Sequence, residues 1–68
     1  MTKTEKKFLG IQRRYISAFV KANNRPVIQL FFKNGWVHLQ TDRLLGVSKY
    51  RLSQLEKMCE TLESRIKN

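Results

Sequence analysis

Polar and apolar residues alternate along much of the chain between Phe8 and Gln40. The run Phe8 to Lys21, rich in aromatic and β-branched residues, predicts an extended strand that can bend into two at Gly10. Asn23-Asn24-Arg25-Pro26 predicts a turn, and Val27 to Lys33 a second strand. Asn34-Gly35 is a strong hairpin signal because both residues tolerate positive φ, so Trp36 to Gln40 is expected to return antiparallel. After Gln40 the period changes. Leu45, Leu52, Leu55, Cys59, Leu62 and Ile66 recur at helical steps and form one stripe of an amphipathic helix. Ser48 is expected to cap it, Thr41 or Asp42 to open an earlier turn, and Gly46 to mark a break. The expected class is α+β: a curved antiparallel sheet of three to four strands followed by a C-terminal helix.

Strand parity then sorts the side chains into two faces. Ile16, Ala18, Val20, Ile28, Leu30, Phe32, Val37 and Leu39 form a wholly apolar face that must meet the helix stripe. The other face collects Arg13, Tyr15, Ser17, Phe19 and Lys21, then Val27, Gln29, Phe31 and Lys33, then Trp36, His38 and Gln40. A sheet face in water is normally polar, yet this one interleaves rings with cations. That combination suits single-stranded nucleic acid, whose bases stack on aromatic side chains while cations hold the backbone. Tyr15, Phe19, Phe31 and Trp36 are the expected stacking residues. Arg13, Lys21, Arg25 and Lys33 are the expected phosphate contacts, and His38 adds a stacking or phosphate role. A duplex hides its base faces and would leave the rings unused. Partly unwound duplex and RNA fit the same chemistry as single-stranded DNA, since neither stacking nor phosphate contact reads the 2′-hydroxyl.

Charge strengthens this picture. The chain has 68 residues, with 14 Lys or Arg against 5 Asp or Glu, a formal net charge of +9. Residues 1–51 carry the whole excess, and residues 52–68 are neutral. Residues 1–7 are expected to form a flexible basic arm, and 8–68 a single nucleic-acid-binding domain. A domain this small closes its core with difficulty. Cys59 is the sole cysteine, which excludes an intrachain disulfide and a multi-cysteine zinc site. A second copy is therefore expected to complete the core, meeting the first along Leu52, Leu55, Cys59, Leu62 and Ile66. No apolar run is long enough to span a bilayer or act as a secretory signal, so a cytoplasmic or nucleoid-associated protein is expected. His38 stands alone and no acid is placed beside a base, so neither catalysis, a metal nor a cofactor is expected.

Phe8-Leu9-Gly10-Ile11, Arg14-Tyr15-Ile16-Ser17-Ala18 and Val27-Ile28-Gln29-Leu30 together resemble the DNA-binding core of the positive cofactor four family, which comprises single-strand-binding transcriptional coactivators. Gly35 to Gln40, running into Thr41-Asp42, is similar to that family's last strand and the helix after it. The resemblance implies a homodimer joined through its helices, with sheet grooves that take single-stranded DNA and little sequence preference. It implies roles in transcription, replication or recombination. It also makes Arg14 a backbone contact, although parity places Arg14 on the apolar face and hence near the sheet's rim. The sequence departs from the family in its short Lys33-Asn34-Gly35 turn and in Asn23-Asn24-Arg25, where the family has a Gly-Lys turn.

Two other readings use different features. Leu45-Gly46-Val47-Ser48 with Leu52 and Leu55 matches the turn and second helix of a helix-turn-helix, which would aim Lys49, Tyr50 and Arg51 at a duplex major groove. Alternatively, the basic sheet could cover an acidic protein surface as a small inhibitor.

Overall fold

The computed structural model describes residues 2–67; Met1 and Asn68, included in the expected arm and domain, lie outside the described residues. The elements are α1 (Lys3–Asn23), β1 (Gln29–Lys33), β2 (Trp36–Gln40), β3 (Ser48–Tyr50) and α2 (Leu52–Lys67). The class is α+β, and the three strands form one antiparallel sheet in the order β1-β2-β3.

The largest correction lies at the start. The segment expected as a strand over 8–21, and the arm expected over residues 3–7, are one continuous helix. Its entry is a capping box: the Glu5 backbone N–H donates to the Thr2 hydroxyl at 3.1 Å, and the Thr2 N–H donates to the Glu5 carboxylate at 3.2 Å. At the exit Asn24 is left-handed (φ 55°) and its N–H donates to the Val20 carbonyl at 2.8 Å. Phe8, Ile11, Tyr15, Ala18 and Phe19 are the buried positions. Their three- and four-residue steps put one stripe against the sheet. Ile16 and Val20, assigned to the buried face by strand parity, are 37% and 42% exposed. Two periodicities coexist in this segment, and the helical one buries more ring surface.

The hairpin forms as expected. Asn34 (φ 53°) and Gly35 (φ 79°) both occupy the left-handed region, the requirement of the tight turn whose twist suits antiparallel strands. Leu30 pairs with Leu39, Phe31 with His38, Phe32 with Val37 and Lys33 with Trp36. Leu30, Val37 and Leu39 are buried and Phe32 packs beside them, so the inner face of these strands is the apolar one read from parity. Ile28 precedes β1 and is 40% exposed, while Val27 packs on the core, the reverse of their expected placement. Ser48 does not cap a helix; it begins β3, and α2 starts at Leu52 after the Gln54 side chain accepts the Arg51 N–H at 2.9 Å.

Both helices cover the inner face of the sheet. The Cα envelope is 16 Å deep in its thinnest direction, the depth of one sheet and one helix layer. Ion pairs Lys7–Glu56 (3.3 Å) and Arg14–Glu63 (2.6 Å) advance seven residues on each helix in the same sense, so α1 and α2 run parallel. These pairs are partly exposed, and ion pairs in that setting add little to stability. Burial does the larger share. Leu55, Val37 and Cys59 have no exposed surface, and a fully buried leucine or valine side chain stabilises by about 1.5–3 kcal/mol.

This arrangement removes Leu55 and Cys59 from the expected dimer seam. Leu55 and Cys59 face α1 and the sheet of their own chain, and Leu52 and Leu62 pack against the same core. A second copy could not reach Leu55 or Cys59 without opening that core. Of the five seam positions Ile66 alone is exposed, at 37%. The helix-turn-helix reading also fails, because residues 36–40 and 48–50 are strands and the segment between them contains no helix.

Candidate nucleic-acid interface

With both helices on one side, the other face of the sheet is open. Register arranges it in three cross-strand rows. Lys33 pairs with Trp36, and Arg51, one residue beyond β3, extends that row. Phe31, His38 and Lys49 form the next. Gln29 and Gln40 form the third, joined side chain to side chain at 3.0 Å. Alternate residues along a strand are ~7 Å apart, which sets the spacing between rows.

Two side-chain pairs stand on this face. Phe31 and His38 stack with centroids 4.7 Å apart and planes only 4° from parallel, so each covers one face of the other. The Arg51 guanidinium lies 3.9 Å from the centroid of Trp36, and its Nη1 donates to the Gly35 carbonyl at 3.5 Å. Such a cation–ring contact contributes about 0.5–1 kcal/mol at an exposed site. Phe31 and Trp36 remain 40% and 37% exposed, large values for rings of their size. Phe31 also borders a groove of about 260 Å³ shared with Glu5, Phe8, Leu9, Gln12 and Phe32 at the open edge of β1. None of the residues in the three rows is acidic.

Of the residues singled out by sequence, Phe31, Lys33, Trp36 and His38 stand together on this face. The others do not. Tyr15 and Phe19 are core residues, each 6% exposed, with rings stacked at 6.1 Å. Burial pushes the Tyr15 phenol above its ordinary pKa. Arg13, Arg14 and Lys21 lie on α1, in the helix layer. Arg14 is engaged by Glu63, whose hydrogen bond raises the guanidinium's pKa further. These three border a groove of about 720 Å³ with Ser17, Glu63 and Ile66, where charge is present without rings. Arg25 follows α1, pairs with Asp42 at 3.5 Å and reaches the Phe19 ring at 5.7 Å.

Two residues of the open face, Lys49 and Arg51, were expected only as major-groove contacts. Extending strand parity past Gly46 would have placed them, because Ser48-Lys49-Tyr50-Arg51 alternates around an inward Tyr50. Cys59 is buried, and that burial raises its thiol pKa, the environment of a packing residue rather than a nucleophile. Among the described residues, no group of three or more His, Cys, Asp or Glu could hold a metal ion, and no helix is long and apolar enough to cross a membrane.

Comparison of the chain with protein-family models, with curated proteins and with solved structures finds no match.

Proposed function

We propose that this chain binds single-stranded DNA on the open face of its sheet, with little sequence preference. One observation carries the reading: three cross-strand rows without an acidic member, in which the Phe31–His38 and Trp36–Arg51 pairs stand among Lys33 and Lys49. A base stacked on an exposed ring contributes about 1–3 kcal/mol whatever its identity, and cations between rings hold the connecting phosphates. The pairing matters here, because a ring fixed before binding loses little freedom when a base lands on it. Asp42, the acid nearest this face in sequence, is already engaged by Arg25 and by the Leu44 N–H.

The helix layer takes no part in stacking, so Tyr15 and Phe19 drop out of the site. The residues that carry the resemblance to the positive cofactor four family over 8–18 lie in α1, and the proposal does not depend on them. On this reading the protein acts where single strands are exposed in the cytoplasm, in transcription, replication or recombination.

Trp36 is the sole tryptophan and lies in the site, so its fluorescence is a direct reporter. Oligothymidine should quench it at lower concentration than a matched duplex. Tighter duplex binding, or no response to either, would overturn the proposal. Equal binding of oligouridine would extend it to RNA.

A further inference from the structure

The segment between β2 and β3 carries three apolar side chains in water. Leu44 is 94% exposed, Leu45 62% and Val47 44%. The turn that presents them is firmly tied. The Asp42 carboxylate accepts the Leu44 N–H at 2.9 Å, and the Asp42 carbonyl accepts the Leu45 N–H at 3.1 Å. The Gln40 side-chain amide donates to the carbonyls of Asp42 (3.3 Å) and Leu45 (2.9 Å). Gln40 belongs to the last row of the open face, so these bonds fasten the leucine turn to the end of that face. The result is a fixed apolar lip at Leu44 and Leu45, placed beyond the glutamine row.

Its charge setting is equally specific. Arg43 stands in the turn itself, and the Asp42 charge is offset by Arg25 at 3.5 Å. A polyanion therefore meets no repulsion there. A single strand running along the sheet from the Lys33–Trp36–Arg51 row passes the Phe31–His38 pair, reaches the glutamine row and then meets the lip. What nucleic acid can offer an apolar surface at that point is the flat outer face of a terminal base pair. Apolar side chains of minor-groove proteins wedge between base steps at the cost of unstacking them; a terminal base pair exposes the same apolar face with nothing to unstack.

We infer that Leu44 and Leu45 form a junction-recognising lip: the ligand is a single strand continuous with a duplex, whose last base pair rests on the leucines while Arg43 meets the adjoining phosphates. This inference rests on the sheet-face proposal and refines its substrate class.

The test compares a hairpin bearing a tail of about ten thymidines with the same tail alone, in both polarities, by Trp36 fluorescence. For at least one polarity the tailed hairpin should bind about tenfold more tightly than the tail. The variant Leu44→Ser/Leu45→Ser, altered only on exposed positions, should bind the free tail as the parent does and lose the preference. Equal parent affinities for tail and tailed hairpin, or a preference surviving in the variant, would overturn the lip while leaving the sheet face standing. Failure of the parent to bind the tail would overturn the sheet-face proposal and the lip with it. Leucine-dependent binding to anionic phospholipid vesicles, without a junction preference, would assign the lip to a membrane surface instead.

Discussion

Replacing Lys33 and Lys49 by glutamine should flatten the salt dependence of oligothymidine binding while leaving the ring pairs in place. Three cations stand in the rows of the open face: Lys33, Lys49 and Arg51. Each phosphate neutralised on a single strand contributes about −0.7 to the slope of log affinity against log salt, so the parent slope should be about −2. Between about 50 and 200 mM salt this corresponds to a loss of roughly 20-fold. With Arg51 alone remaining, the slope should be about −0.7 and the loss over the same interval roughly threefold. Neither lysine supports a ring, since Phe31 is stacked by His38 and Trp36 by Arg51. The two proteins should therefore converge in affinity as salt rises. The assay is a Trp36 quenching titration at four or more salt concentrations. The control is Arg13→Gln/Lys21→Gln on α1, which should leave the slope unchanged. An unchanged slope in Lys33→Gln/Lys49→Gln, combined with a flattened slope in the α1 control, would move the strand to the helix layer and refute the reasoning.

Three further predictions concern the fold. Gly10 is exposed in the middle of α1, and an added Cβ there meets nothing within 4 Å, so Gly10→Ala should stabilise by about 1 kcal/mol and raise Tm by roughly 4–8 °C. A fall in Tm on thermal circular dichroism would contradict a helix at that position. Leu55→Ala removes a side chain with no exposed surface and should cost about 2.7–5 kcal/mol in urea unfolding, whereas a cost under about 1 kcal/mol would show that α2 is not docked as described. The Glu5 carboxylate is held below its ordinary pKa, chiefly by the Thr2 backbone N–H and then by the Thr2 hydroxyl. A lowered folded-state pKa means stability present above the unfolded value and lost as pH falls through the folded one. Glu5→Gln should therefore flatten the acid-side loss of α1 helicity below the ordinary glutamate range, and identical acid profiles for the two proteins would remove the carboxylate from that role.

Much of the site was legible because a hairpin is a local object. Asn34-Gly35 sets the turn, the turn sets the register, and a period of two then decides that Leu30, Phe32, Val37 and Leu39 face inward while Phe31, Lys33, Trp36 and His38 face outward. The stripe Leu52, Leu55, Cys59 and Leu62 was equally readable as a helix. The segment 8–21 was not, because it satisfies two templates at once. Ile16, Ala18 and Val20 alternate, while Phe8, Ile11, Tyr15 and Ala18 step by three and four. Rich β-branched and aromatic content favoured the first. The Thr2–Glu5 capping box and the Asn24 terminus argue for the second, and both signals are in the sequence.

What the sequence determined alone was therefore the hairpin, the amphipathic C-terminal helix, the excess of cations and the pairing of rings with charge on one strand face. Tertiary structure decided the rest. Which side of residues 8–21 is buried depends on what lies beneath, and the apolar face of β1 and β2 is covered by a helix bearing Phe8, Ile11, Tyr15 and Phe19 rather than by another strand. That choice removed Tyr15 and Phe19 from the surface and consumed the α2 stripe within one chain. It also let Lys49 and Arg51 join the open face through a short third strand. Burial is a property of two surfaces meeting, and a single segment states only one of them.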